Sequence, residues 1–349
     1  MKRNGYIITA PYSQQGGVAS FVNSIKPCLK GNVKIFRRGK SESENFFKDV
    51  EHIFTLPARF KKLLKKDNSE NILINTSLCL LLMIRDGILV RISKRNHRKV
   101  VLFIHGFKEK DLKYLCFLKW GYWKADRIVV LANDFKTLLI DKGSPCPIDV
   151  FLNPIDENIF EKTVNNPISN DISNILFLSR LEKDKGLFES LECFQILKEK
   201  YHGLALNIVG DGSVKKDAEL YVYNNGIKDV KFYGFMTGDE KIKLLNNSQL
   251  LLFPTYHKEG LPISILEAMT AGNIIFTRAI GGIKDLYREC NFGVMTESRS
   301  PKVFAEEFDR LYKNPILCKE IRKNNQSFAK KNFHPDVISN KIENLFNLI

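Results

Sequence analysis

Residues 250–277 read LLLFPTYHKEGLPISILEAMTAGNIIFT. Leu250–Phe253 and Ile274–Thr277 are short apolar runs without alternation, the pattern of strands buried on both faces of a parallel sheet. Between them, Pro262 suits the first turn of a helix and Gly272 suits its end. Strand, loop, helix and strand in this order make one repeat of a parallel α/β architecture.

The same alternation extends in both directions. Strand-like runs occur at Tyr6–Ala10, Val33–Phe36, Asn71–Thr76, Val100–Ile104, Arg127–Leu131 and Asp149–Leu152, then at Ile175–Ser179, Leu204–Val209 and Val230–Tyr233. The expected fold is therefore α/β, with two doubly wound parallel-sheet domains. A length of 349 residues agrees, since one core rarely grows past ~250–300 residues. Polar, Asn- and Ser-rich residues 156–172 read as the linker. They separate an N-terminal domain at 1–155 from a second at 173–332. A C-terminal helix at 333–349, apolar at Val337, Ile338, Ile342, Leu345 and Phe346, is expected to pack back on the N-terminal domain.

Composition excludes several classes. Hydrophobic residues at 44% and charged residues at 27% describe a folded chain. The seven cysteines are scattered and never form C-x-x-C, which excludes a disulfide framework and an obvious zinc site and suits a reducing compartment. The N-terminus lacks a signal-peptide pattern, and the run Leu78–Ile84 is far short of the ~20 residues of a membrane span. The expected location is cytoplasmic, or peripheral on the cytoplasmic face of a membrane.

The net charge of +15 is not spread evenly. Residues 1–150 hold 28 Lys+Arg against 13 Asp+Glu, whereas residues 151–349 hold 26 of each. The excess belongs to the first half and bears on its partners. Two basic stretches stand out. Residues 59–66 (Arg59, Lys61, Lys62, Lys65 and Lys66) have cations and apolar residues at helical spacing, as in a helix lying on anionic lipid. The other covers residues 91–99.

In open parallel sheets ligands sit beyond the C-terminal strand ends. There the first strand is followed by Gly16-Gly17 and a helix, a turn that allows close backbone approach and favours an anion. The fourth ends in His105-Gly106. After Ile175–Ser179, Arg180 and Lys185 lie on a strand-to-helix loop where guanidinium and ammonium together suit a phosphate. Gly210 and Gly212 flank Asp211 at the end of another strand. Glu259 precedes the helix at 262–272 and Glu267 falls in its second turn. The turn Gly260-Leu261-Pro262-Ile263 between them offers free N–H groups. Carboxylates with backbone donors between them suit a polyol.

With these pieces in place, the chain resembles the nucleotide-sugar-dependent glycosyltransferases of family 4. The matching pieces are Asn153-Pro154, Ser179-Arg180 with Lys185-Gly186, Gly210-Asp211-Gly212, Phe232-Tyr233-Gly234, Pro254-Thr255, the Glu259/Glu267 pair and Gly281-Gly282-Ile283. The resemblance implies two Rossmann-like domains facing a central cleft (the GT-B arrangement) and retaining sugar transfer without a metal or other cofactor. It implies that Arg180 and Lys185 neutralise the donor diphosphate, Glu267 binds the ribose and Glu259 with the following amides holds the sugar. Gly16 and Gly17 would close near the phosphates, and His105 would be the strand-end histidine of the cleft. Asn153-Pro154 departs from the Asn-Gly frequent in the family.

The expected function is a hexosyltransferase, with UDP-sugar donors favoured and GDP-sugars next. The acceptor would be a hydroxyl of a lipid-linked or polysaccharide-precursor glycan, as in lipopolysaccharide or capsule assembly. An anionic membrane surface is the expected partner, and nucleic acid is not. The rivals are a nucleotide-sugar epimerase or glucan phosphorylase of the same fold, and, from another class, a basic nucleic-acid-binding protein. Sugar, acceptor linkage and oligomeric state are not legible in the sequence.

Overall fold

A computed structural model describes residues 5–11, 17–38, 46–107, 113–169, 171–257 and 260–349. The chain forms two compact units, Met1–Asp156 with Pro335–Ile349, and Glu157–His334.

In the first unit the strands are β1 (Tyr6–Pro11), β2 (Val33–Arg38), β3 (Asn71–Leu78), β4 (Lys99–Phe107), β5 (Arg127–Val130) and β6 (Ile148–Val150). They lie in the order β2-β1-β3-β4-β5-β6, and their pairings are parallel. The helices are α1 (Gly17–Ile25), α2 (Phe46–Lys66), α3 (Leu80–Arg95), α4 (Leu115–Trp120) and α5 (Asn133–Asp141). Ile72, Leu73, Ile74 and Val100–Ile104 are wholly buried, as their unbroken apolar runs require. Leu56, Phe60 and Leu64 of α2 and Leu89 of α3 join Ile72, Ile74, Leu102 and Ile104 in one core. Phe21 of α1 meets Phe103 of β4 at 4.5 Å between ring centroids.

The chain returns to this unit at its end. In α14 (Pro335–Asn347), Ile338, Ile342, Leu345 and Phe346 are buried. Phe346 meets the Tyr6 ring edge-on at 5.7 Å, and Ser339 Oγ donates to the Ile25 carbonyl at 3.3 Å.

The second unit contains β7 (Asn174–Leu178), β8 (Ala205–Val209), β9 (Val230–Gly234), β10 (Leu250–Phe253), β11 (Ile274–Arg278) and β12 (Gly293–Thr296). Its helices are α6 (Glu157–Thr163), α7 (Leu187–Lys200), α8 (Lys215–Asn224), α9 (Gly238–Asn247), α10 (Ile263–Thr270), α11 (Gly282–Glu289), α12 (Pro301–Tyr312) and α13 (Pro315–Asn332). The strand order β12-β11-β10-β7-β8-β9 is the dinucleotide-fold order, whose reversal falls between β7 and β10. The fold class is thus two Rossmann-like doubly wound α/β units.

The structure departs from the sequence expectations in several places. Residues 156–172 are not a featureless linker, because α6 lies within them. Its Ile159, Phe160 and Thr163 are buried, and Lys162 pairs with Asp239 of α9 at 2.5 Å. Strand β12 was not expected, and Pro262 stands before the first turn of α10 as its N-cap. The apolar side of α2 is also committed: Leu56, Phe60 and Leu64 face their own core and cannot enter a lipid layer. Lys61, Lys62, Lys65 and Lys66 are exposed on the outer face, while Arg59 lies over the Phe36 ring at 5.7 Å. The second basic stretch is largely tied down. Arg91 donates to Trp120 O, Lys94 pairs with Asp126, Arg98 donates to Asp67 O and Lys99 to Phe346 O. No described helix is long and apolar enough to cross a membrane.

Candidate active site

The strand-order reversal places the loops after β7 and β10 side by side in the second unit. The first runs from Ser179 to Gly186 and ends in a 3-10 turn, Lys183–Lys185. The second leads from Pro254 into α10. Asp184 fastens one to the other. Its main-chain oxygen accepts the N–H groups of Tyr256 and His257, both at 3.0 Å, and the Thr255 hydroxyl at 3.3 Å. Its carboxylate meets His257 Nδ1 at 2.5 Å, and Tyr256 Oη donates to Lys183 O at 2.7 Å. Gly186 permits this approach. Its φ is +81°, and a Cβ there would lie 2.6 Å from Pro254 O.

These contacts set the two cations differently. Lys185 is 5% exposed, a buried side chain on the clamped loop. Arg180 is exposed on the outer part of the same loop. Gly210 allows the β8 loop to close against this one, since a Cβ would fall 1.8 Å from Ser179 O. Asp211 O accepts from Leu181 N at 2.9 Å, and Ser213 Oγ donates to Glu182 at 2.6 Å. Gly210 and Gly212 therefore serve the packing of two loops, a reason independent of any flat ligand on the crevice floor.

On the other side, Gly260 O accepts from Gly282 N at 2.7 Å, joining the loops after β10 and β11. Leu261 and Pro262 are buried and Ile263 is half-buried at the start of α10. Glu267 lies one turn into that helix and is 4% exposed. Its two oxygens meet Lys241 Nζ of α9 at 2.8 and 2.6 Å. A buried carboxylate needs such a partner, and Lys241 supplies it while leaving lone pairs on both oxygens. Glu259 lies outside the described residues, as does Gly16.

The first unit has its own strand-end cluster. Its order reverses between β1 and β3, and Thr9, Asn75 and His105 lie within the C-terminal parts of β1, β3 and β4, so the fourth strand runs past His105 to Phe107 rather than stopping before it. Asn75 Nδ2 donates to Thr9 O at 2.9 Å and Asn75 Oδ1 lies 2.9 Å from His105 Nε2. The imidazole stacks on Phe103 at 4.6 Å and 20° and meets Phe21 edge-on at 4.9 Å. Desolvation by burial pushes the His105 pKa down to about 3, so the ring is neutral at physiological pH. Gly17 starts α1 and is exposed. Nearby in the fold, wholly buried Asp86 pairs with Arg85 at 2.8 Å and Arg38 at 3.3 Å and accepts from Thr76 Oγ1 at 2.6 Å. Burial pushes its pKa up.

Arg180 and Lys185 thus share one loop, while Gly260–Ile263 and Glu267 occupy the next strand-to-helix element across the reversal point. Sequence reasoning missed Asp184, His257, Lys241 and Asn75. Each acts through a partner remote in the chain, so spacing carried no signal for them.

Comparisons with known proteins bear on the fold and on the second unit as a whole. Residues 158–328 match the family model for glycosyl transferases group 1. A capsular polysaccharide biosynthesis glycosyltransferase, CapM from Staphylococcus aureus, is 25% identical over 225 residues, covering 62% of this chain and 57% of CapM. This chain thus matches a little over half the length of that relative. A structure of Anabaena HepE in complex with UDP-glucose superposes with a TM-score of 0.73 at 17% identity, covering 99% of this chain and 100% of the other. Sucrose-phosphate synthase from Thermosynechococcus elongatus gives a TM-score of 0.77 at 14% identity, with 99% of each chain covered. The chain shares the two-unit fold of these proteins.

Proposed function

We propose that this protein is a glycosyltransferase that moves a sugar from a nucleotide diphosphate donor to a hydroxyl acceptor. The observation that carries the reading is the buried Lys185, fixed by the Asp184 clamp at the reversal point of the second sheet. The match of residues 158–328 to group 1 glycosyl transferases supports it. HepE, which shares the fold, holds UDP-glucose, which favours UDP-sugars as donors before GDP-sugars.

As the bond between sugar and leaving phosphate breaks, negative charge grows on the diphosphate. Lys185 and Arg180 neutralise it, and the first amides of α10 add a fixed positive end. This electrostatic role is one that a metal fills in other transferases, so the reaction is proposed to be metal-independent. Glu267, oriented by Lys241, accepts from the ribose hydroxyls. Glu259 with the Gly260–Ile263 turn is proposed to hold the sugar. Retention follows if the acceptor attacks from the leaving-group face, with the diphosphate taking its proton.

The acceptor is proposed to be a lipid-linked or polysaccharide-precursor glycan at an anionic membrane surface, engaged by the basic first unit. The biosynthetic role of CapM supports the polysaccharide reading. A panel of nucleotide sugars tests the whole proposal. One donor should raise the melting temperature, since a ligand of the native state stabilises it, and should yield free nucleoside diphosphate with and without a chelator. A chain stabilised by none of them would refute it. The anomeric configuration of the product, read by NMR, tests retention.

A further inference from the structure

Asp86, in the second turn of α3, is wholly buried and lies beside two guanidinium groups. Arg85 already serves it at both oxygens. Its Nε donates to Oδ1 at 2.8 Å and its Nη2 to Oδ2 at 3.1 Å. Thr76 Oγ1 adds a third bond, to Oδ2 at 2.6 Å. Arg38, the last residue of β2, approaches that same oxygen only to 3.3 Å. Its side chain is 6% exposed, and its Nε is buried with no hydrogen-bond partner among the described residues. A buried donor left unfilled is costly, and so is a buried charge left over. Two cations against one carboxylate leave one positive charge beyond what Asp86 needs.

The place of the cluster points to a ligand. Arg38 pairs in register with Pro11 at the C-terminal end of β1, and Thr76 stands at the irregularity near the end of β3. The reversal of this sheet falls between β1 and β3, and parallel sheets take ligands at these strand ends. Arg85, at 14% exposure, is the member of the cluster that reaches the surface. We propose that Arg38 and Arg85 form an oxyanion-binding site in the first unit, which takes a phosphate or carboxylate group on the Arg38 guanidinium. Nε–H and Nη–H side by side match two oxygens of such a group. The ligand supplies both the acceptor that Nε lacks and the negative charge that the second cation lacks. The site lies within the first unit alone and does not depend on the sugar-transfer reading.

Titration calorimetry with inorganic phosphate and with glucuronate, in a chloride background of constant ionic strength, tests the site. At least one of the two anions should bind. Phosphate alone identifies a phosphoryl ligand, and glucuronate alone a carboxylate. Arg38→Lys keeps a cation beside Asp86 but loses the fork, so binding should weaken roughly 10–100-fold, the scale of one hydrogen bond to a charged group. Lys185→Ala, altered in the other unit, should retain the binding. Should Arg38→Lys fail to fold, Arg85→Gln decides: the one remaining guanidinium must then serve Asp86, and binding is lost. Neither anion binding to the wild type would overturn the proposal. So would wild-type affinity in Arg38→Lys or Arg85→Gln, or loss of the binding in Lys185→Ala, which would put the anion in the second unit.

Discussion

Lys185 and Gly186 are adjacent, yet one concerns chemistry and the other architecture. In the proposed reaction, replacing Lys185 by Ala removes a charge at the leaving diphosphate and should lower turnover by ~10²–10³, the scale of losing one such stabilising group. Steady-state rates at saturating donor read this directly. Gly186→Ala adds a Cβ 2.6 Å from Pro254 O at a φ of +81°. It should destabilise the fold by about 1–3 kcal/mol, measured by denaturant midpoint. His105 gives a third prediction at this scale. Its folded pKa of about 3 lies below the unfolded ~6.5, so between these values the unfolded chain binds the extra proton. The stability tied to the neutral ring is complete above ~6.5 and is lost as the pH falls toward 3. The denaturant midpoint of His105→Gln should therefore fall less than that of wild type between pH 7 and about pH 5. An equal fall in both would refute the assignment. Arg180, Lys185, Glu267 and His105 could be picked out as candidates because each falls in a loop after a strand, in the helix that follows one, or in the last residues of a strand. His257 and Asn75 could not. His257 meets Asp184 across 73 residues of chain, and Asn75 meets His105 across 30.

At the scale of elements, unbroken apolar runs identified most strands because both sheets are covered on each face. Strand β12 escaped because Gly-Val-Met-Thr is short and mixed, and its place at the sheet edge needs less apolar surface. Helix α6 escaped because two buried apolar residues among polar neighbours do not read as a helix until α9 is beside them. Helix α2 shows the opposite case. Its periodicity was plain, but periodicity cannot say whether an apolar face meets lipid or its own core. With Leu56, Phe60 and Leu64 buried, the proposed membrane attraction would have to rest on charge alone. Changing Lys61, Lys62, Lys65 and Lys66 together to Gln should abolish flotation with anionic vesicles and leave the melting temperature unchanged, because all four are exposed. Each cation near such a surface contributes about 1 kcal/mol, so binding should also weaken steeply with salt. Equal flotation with neutral vesicles would contradict this reading.

For the whole molecule, the uneven charge acquires a place. The second unit carries the reversal between β7 and β10, the buried Lys185 beside the Asp184 clamp and the buried Glu267–Lys241 pair. The first unit carries the basic excess and the His105 cluster. The proposed function assigns the donor to the second unit and the acceptor to the first. The central claim is that the clamped cation serves the departure of a nucleoside diphosphate. It is tested most directly by incubating wild type and Lys185→Ala with a panel of UDP- and GDP-sugars and an acceptor glycan extract, while following free nucleoside diphosphate and new glycosidic product. One donor should be consumed with equal release of its nucleoside diphosphate, and the variant should be ~10²–10³ slower. Conversion of the donor into a different nucleotide sugar with no diphosphate released, or a full rate in Lys185→Ala, would contradict the account.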